Sequence, residues 1–200
     1  MKSLLLILLL SLSGCVNLGG EQKPSVTYVL IDTRAATPAT TLLPQILMVA
    51  PMRSSSFDDN DKLVFARATN SRGRYQWANW SERPSSRLDE LLYNRLTQTR
   101  IYTQTVRDDN DVLAQQLLTT ELLDFYHDAR TAPGQIKARL RATLYDTQQH
   151  SVIAQQVFEQ SREVSTFDAA GAATAFNLAS TALIDDVVSW LTPTTTTQRQ

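Results

Sequence analysis

The chain of 200 residues contains one cysteine and two histidines. A single cysteine excludes a disulfide bond within the chain. Two histidines without a second thiol make a poor zinc site, so we predict no metal and no soluble cofactor. The longest apolar run, residues 4–10, is far shorter than the roughly 20 residues that a membrane-spanning helix needs.

The chain also lacks an excess of charge of either sign. It has 19 Lys and Arg against 20 Asp and Glu, a formal net charge of −1. Proteins that bind nucleic acids usually carry a basic face, so we predict no nucleic-acid partner. An apolar content of 42% is sufficient for the core of one domain.

The N-terminus carries the most specific signal in the sequence. Lys2 gives a positive start, the apolar run follows, and small residues precede Cys15. This order is typical of a secretory signal peptide, here residues 1–14. An ordinary secreted protein with a chance cysteine is the alternative interpretation. The residues that end the segment are Leu12, Ser13, Gly14 and Cys15.

Those four residues resemble the lipobox of bacterial lipoproteins. The resemblance implies cleavage after Gly14, S-diacylglycerol on Cys15 and an N-acyl chain on its new amine. Two or more acyl chains hold a protein on a membrane far more firmly than one. Asp after the cysteine retains enteric lipoproteins in the inner membrane. Val16 stands there instead, so we expect an outer-membrane anchor facing the periplasm.

The mature chain divides into three parts. We predict a flexible tether at residues 15–25, a single domain at 26–191 and a disordered tail at 192–200. Residues 136–144 alternate apolar and polar side chains, the pattern of a strand with one buried face. We predict strands at 26–32, 45–50, 63–68, 74–77, 101–106, 115–127, 135–146 and 152–162, and helices beginning near Ser85 and Asp168.

This order predicts an α+β fold, an α/β sandwich in which two helices pack on one face of a mainly antiparallel sheet. Residues 53–61 are expected to be a polar loop. The repeated Asp-Asp-Asn-Asp at 58–61 and 108–111 lacks the spacing of a calcium loop and is interpreted as two solvated turns. Trp190 is expected to anchor the last helix to the core.

The residues that could perform catalysis are few. Only His127 and His150 titrate near neutrality without a large pKa shift, and we expect both at the surface. The sequence has neither a nucleophile elbow nor a phosphate-binding loop. We therefore predict that the protein is not an enzyme, with an envelope hydrolase as the rival hypothesis.

Three aromatic residues form the candidate partner-binding cluster: Tyr75, Trp77 and Trp80. Exposed Trp and Tyr are enriched at binding hot spots. The competing interpretation is that the tryptophans anchor the first helix to the sheet. We expect at least one of them in the core, and the sequence does not distinguish which.

Several segments together resemble a known family, and the similarity covers nearly the whole mature chain. A strand at residues 46–51 is closed by proline, the Tyr75 to Trp80 segment follows, and an Ala-rich helix ends at Trp190 and Leu191. Other matching segments are residues 28–30, 63–67, 88–96 and 117–125, and Phe158. The chain resembles the ABC-type transport auxiliary lipoproteins, of the paraquat-inducible protein C type.

The resemblance implies a non-enzymatic accessory of an MCE-type (mammalian cell entry) lipid transport system. Its partner would be an MCE-domain protein anchored in the inner membrane, and several copies would form a homo-oligomeric ring. The implied fold is similar to the N-terminal domain of TolB. The alternative is a structural or regulatory envelope lipoprotein, such as a cell-wall synthase activator or a secretion-system assembly factor.

The lipid anchor can be tested by removing its attachment atom. We expect Cys15→Ala to block lipid attachment, because only the thiol accepts the diacylglycerol. The variant should stay unprocessed or leave the membrane fraction. If Cys15→Ala fractionates with the outer membrane as the unaltered protein does, the anchor assignment is wrong.

Overall fold

A computed structural model describes residues 24–54, 57–108 and 111–192. Cys15, the lipobox, most of the predicted tether and the tail after Thr192 lie outside these residues. The strands are β1 Val26–Tyr28, β2 Leu43–Val49, β3 Arg53–Ser54, β4 Lys62–Ala66, β5 Gly73–Trp80, β6 Tyr102–Arg107, β7 Gln116–Asp128, β8 Gln135–Asp146 and β9 Ser151–Glu163. The helices are α1 Pro84–Thr99 and α2 Ala169–Leu191.

The long strands β7, β8 and β9 form the largest part of the sheet. In β8 every second residue from Ile136 to Leu144 is buried, as the alternation predicts. β8 pairs antiparallel with β7 on one side and with β9 on the other. The two helices contact each other and cover the apolar face of this sheet, with α2 over β8 and β9. The predicted α+β fold is confirmed.

The rest of the sheet is mixed in direction. β2, β3 and β4 lie one after another along the free side of β7, and all three pair with it in parallel. β6 continues the sheet beyond β2, and β5 and then β1 continue it beyond β4. The sheet therefore combines several short parallel pairings with two long antiparallel pairings, β7 with β8 and β8 with β9.

Both helix starts form where they were predicted. Asp168 caps α2, because its Oδ1 accepts a hydrogen bond from the amide of Gly171 at 2.8 Å. Trp190 packs edge-on against Phe158 with the ring centroids 5.9 Å apart. Within residues 24–54, 57–108 and 111–192, no helix is long and apolar enough to cross a membrane.

Two predictions for residues 53–61 are wrong. This segment contains β3, which pairs with β7. Asp58 is 3% exposed and does not lie in a solvated turn. Its carboxylate accepts hydrogen bonds from Arg72 at 2.9 Å and from the Phe125 amide at 3.2 Å, and the ion pair offsets the cost of burial. The other Asp-Asp-Asn-Asp segment includes residues outside the described ranges.

The first strand is shorter than predicted, because side chains of the helices replace the sheet pairing after Tyr28. The amide of Ile31 donates to Asn177, and the amide of Thr33 donates to Thr181 at 2.9 Å. Arg95, only 5% exposed, makes ion pairs with Asp32 and Asp185. Residues 31–34 are thus held against both helices by hydrogen bonds and ion pairs.

Candidate functional site

A large bulge in β5 separates the three aromatic residues that the sequence singled out. Arg74 of β5 is paired with Val64 of β4, and Asn79 of β5 is paired with Lys62 of β4. Between these two pairs β5 advances by five residues, whereas β4 advances by only two. Bulges of this kind redirect side chains and interrupt the alternation of faces. Residues 75–78 therefore do not alternate as a regular strand would.

The three aromatic residues have different environments. Trp80 is 4% exposed, with its ring against Phe176 at 5.3 Å between centroids. Trp77 is 40% exposed. Tyr75 is half-buried and points to β7. The structure therefore answers the question that the sequence left open: Trp80 belongs to the core and Trp77 to the surface, so the three do not form one cluster.

Tyr75 belongs to a buried polar pair with His127. The Tyr75 hydroxyl lies 2.7 Å from His127 Nδ1, and His127 Nε2 lies 2.8 Å from the carbonyl oxygen of Pro133. A carbonyl only accepts, so in the neutral ring Nε2 carries the proton and donates it to this bond. Nδ1 then accepts the hydrogen bond that the Tyr75 hydroxyl donates. Both ring nitrogens are occupied.

The prediction that His127 lies at the surface is wrong, since the side chain is 0% exposed. The cause is a bulge in β7. Leu122 pairs with Leu140 and Asp124 with Arg139, so Leu123 is an extra residue without a partner on β8. Strict alternation from Leu122 would turn Asp124 into the core. The extra residue reverses the phase and turns Phe125 and His127 inwards instead.

Burial also determines the charge of this pair. Burial lowers the pKa of His127, opposed by the hydrogen bond that the ring donates to the Pro133 carbonyl and by the nearby Asp128 carboxylate. Burial, and next the negative charge of Asp168, raises the pKa of Tyr75 to about 12. Both groups are neutral near pH 7, so they form a hydrogen-bonded link between β5, β7 and the loop after β7. His150 lies exposed in the turn before β9, as predicted.

Gly134 makes this arrangement sterically feasible. Its φ is +84°, a region that favours glycine. A Cβ atom there would lie 2.6 Å from His127 Nε2 and 2.3 Å from the carbonyl oxygen of Asp128. The loop can therefore approach the imidazole closely only because it has no side chain at this position.

A pocket of about 260 Å³ opens beside the buried pair. Its guanidinium groups are stacked on aromatic rings: Arg67 lies 5.0 Å from the centroid of Phe65, and Arg74 lies 4.2 Å from that of Phe57. The residues around the opening are Phe65, Arg67, Arg74, Tyr75, Gln76, Ala129 and Phe167. We refer to these seven residues as the arginine–aromatic pocket. Within the described ranges, no group of three or more Asp, Glu, His and Cys residues is placed to hold a metal ion.

Comparison with solved structures finds the same fold in other proteins. Protein XCC0632 from Xanthomonas campestris, of the family model DUF330, is 19% identical with a TM-score of 0.74, over 82% of this chain and 94% of that one. An uncharacterized protein is 10% identical with a TM-score of 0.66, over 85% and 100%. Protein CT253 from Chlamydia trachomatis is 12% identical with a TM-score of 0.51, over 73% and 94%. These likenesses concern the fold alone.

The sequence itself places the chain in a family. The domain is a small α+β domain of the kind seen in those proteins, and the comparison with curated proteins returns no match. A family model described as ABC-type transport auxiliary lipoprotein component matches residues 28–188, nearly all of the domain. The chain belongs to this family of transport-associated lipoproteins.

The buried histidine predicts how stability depends on pH. The unfolded chain binds a proton on His127 near pH 6.5. The folded protein, in which the pKa is lowered, binds it only at lower pH. The free energy of unfolding should therefore fall as pH falls through about 6.5 and towards the folded-state pKa. Urea denaturation across this range should show a steeper pH slope for the unaltered protein than for His127→Gln.

The comparison with His127→Gln isolates one group, because the acidic residues and His150 are common to both proteins. The variant is expected to be less stable at every pH, since it loses part of the link between Tyr75 and Pro133. Equal pH slopes in the two proteins would mean that His127 is solvated in the folded state.

Proposed function

We propose that this protein is the outer-membrane docking component of an MCE-type, ABC-linked system that moves lipid between membranes, and that it works by binding and not by catalysis. Membership of the transport auxiliary family supports an association with a transporter. In this proposal Cys15 holds the domain on the periplasmic face of the outer membrane. The partner is an MCE-domain protein anchored in the inner membrane.

Exposed Trp77 is the observation that carries the proposal. A tryptophan on the surface leaves a large apolar ring in water, and such residues are concentrated at the centres of protein interfaces. Packing of the core does not require Trp77, because Trp80 fills the space against Phe125 and Phe176. The β5 bulge holds Trp77 outwards, which favours a role in binding over one in packing.

The state of His127 favours a role without catalysis. A general base needs a free nitrogen within reach of substrate. Both nitrogens of His127 are engaged, one by the Tyr75 hydroxyl and the other by the Pro133 carbonyl. The side chain is also fully buried. The other histidine, His150, lies on an exposed turn.

The position of β1 relates Trp77 to the anchor. β1 pairs in parallel with β5, with Val26 opposite Ala78, the residue after Trp77. The tether therefore joins the domain beside Trp77. Ten residues reach at most about 35 Å at roughly 3.5 Å each. A partner at Trp77 must come that close to the anchoring membrane, as a long tunnel protein would.

The free edge of β9 supports the proposal that several copies form a ring. Among the described strands β9 pairs with β8 alone, so a 13-residue edge remains open. Val152 and Ile153 are 56% and 47% exposed on this strand. Open edges with apolar side chains are suited to pairing with a strand of another chain.

Site-specific crosslinking in intact cells tests the docking role. A photoreactive residue at Trp77 should trap a large protein anchored in the inner membrane. The matched control is Leu113, which is 91% exposed and precedes β7. The same probe there should trap that protein at least about tenfold less, because hot-spot residues concentrate at the centre of an interface.

Two results would contradict the proposal. Capture of cell-wall synthases or secretion components at Trp77, in place of an MCE-domain protein, would favour the regulatory or assembly role. Equal capture of the same proteins from Trp77 and Leu113 would mean that Trp77 marks no binding surface.

A further inference from the structure

The arginine–aromatic pocket contains two cations that lack the usual carboxylate partners. Most arginines of the described chain pair with acids; Arg72, Arg95, Arg139 and Arg141 are examples. Among residues 24–54, 57–108 and 111–192, no carboxylate lies within ion-pair distance of Arg67 or Arg74, and both guanidinium groups lie over aromatic rings. Two exposed guanidinium groups beside one pocket are suited to an anion.

Asp168 is an acid near the pocket, but its carboxylate lies outside ion-pair distance of both cations. Asp168 acts electrostatically on Tyr75, as Arg67 does, so both charges lie near the pocket. The Asp168 carboxylate is already engaged, because it accepts hydrogen bonds from the Gly171 amide at 2.8 Å and the Thr166 hydroxyl at 3.0 Å. It caps α2 and makes no hydrogen bond to either guanidinium group, whose N–H donors can therefore bind an anion.

Apart from Gln76, the other walls of the pocket are aromatic or aliphatic. Phe65 packs edge-on against Tyr75 with the ring centroids 5.2 Å apart, and Phe167 packs edge-on against His127 at 6.0 Å. Phe167 is nevertheless 51% exposed. The buried Tyr75–His127 pair thus forms a neutral, rigid base, with the aromatic rings at the sides. A ligand that satisfies both kinds of surface carries an anionic group next to an apolar one.

The chain enters the domain on the side of this pocket. β1 runs parallel to β5, so the residues before Val26 point to the N-terminal end of β5. Arg74 and Tyr75 line the pocket at that end. Asn79 donates a hydrogen bond to the Ser25 hydroxyl at 2.7 Å, which holds the last residues of the tether along the strand. The described chain therefore enters the domain from the side of the pocket.

We propose that the arginine–aromatic pocket binds the anionic headgroup of a phospholipid, with the phosphate between Arg67 and Arg74 and the adjoining apolar part against Phe65 and Phe167. A volume of about 260 Å³ is below the range of roughly 300–1,000 Å³ that encloses whole small-molecule ligands. The pocket takes a headgroup, and the acyl chains stay outside. The biological meaning rests on the proposed role in lipid transport, but the binding itself needs no partner protein.

Native mass spectrometry of the lipidated full chain in an uncharged detergent tests this inference. Phosphatidylglycerol should bind, whereas phosphatidylcholine, in which a choline cation neutralises the phosphate, should bind several-fold more weakly. Arg67→Gln combined with Arg74→Gln should weaken phosphatidylglycerol binding at least about tenfold, because the charge-assisted hydrogen bonds to the phosphate are lost. The control combines Arg53→Gln with Arg83→Gln, which removes the same charge from two other exposed positions.

A second pair of variants tests the apolar half of the site. Phe167→Ala should weaken phosphatidylglycerol binding, whereas Leu178→Ala, at a position on α2 that is 46% exposed, should not. Inorganic phosphate at millimolar concentration should compete only weakly. Full displacement by inorganic phosphate would mean a simple anion site, and displacement by an acidic peptide would mean a peptide site; either result overturns the lipid assignment.

Equal lipid binding by the Arg67 and Arg74 double variant and its control would also overturn the inference. That outcome would leave the docking role standing, because crosslinking from Trp77 measures a protein partner. If crosslinking fails and lipid binding holds, the protein binds phospholipid headgroups without serving an MCE partner. Melting temperatures equal to that of the unaltered protein verify that the exposed substitutions leave the fold intact.

Discussion

Much of this structure depends on the phase of β7, that is, on which of its side chains face the core and which face outwards. This strand pairs with β8 along one side and with β2, β3 and β4 in succession along the other, so nearly every element is placed relative to it. Without the extra residue at Leu123, Asp124 would be buried at a cost of several kcal/mol. With the extra residue, Asp124 meets Arg139 on the outer face at 2.7 Å, and Phe125 and His127 enter the core.

The bulge at Leu123 also determines which side chains meet at the end of the sheet where β5 begins. His127 can accept the Tyr75 hydrogen bond only from the inner face, and Tyr75 then forms the base of the arginine–aromatic pocket. Two residues further along, the β5 bulge turns Trp77 outwards, next to the point where the tether enters through β1. Protein docking and headgroup binding are therefore proposed for neighbouring parts of one strand, close to β1, where the described chain begins.

Features with a local cause could be predicted from the sequence. The alternation from Ile136 to Leu144 identified β8, Asp168 identified the start of α2, and the order of elements identified the α+β class. Features that depend on a distant partner could not. The bulge at Leu123, the burial of Asp58 against Arg72 and the pairing of β3 with β7 all require knowledge of the neighbouring strand. One signal was available: strict alternation would have buried Asp124, which indicates an interruption before His127. The mixed direction of the sheet likewise arises from three short segments that meet one long strand.

Nitrogen-15 NMR of the His127 ring, assigned by comparison with His127→Gln, tests the central claim most directly. The inward orientation predicts that Nε2 carries the proton while Nδ1 accepts from Tyr75. It also predicts that this neutral tautomer persists below pH 6.5, since burial lowers the pKa of the ring. A ring that exchanges between tautomers and becomes protonated near pH 6.5 would show that His127 faces solvent. The phase of β7, and the site built on it, would then be wrong.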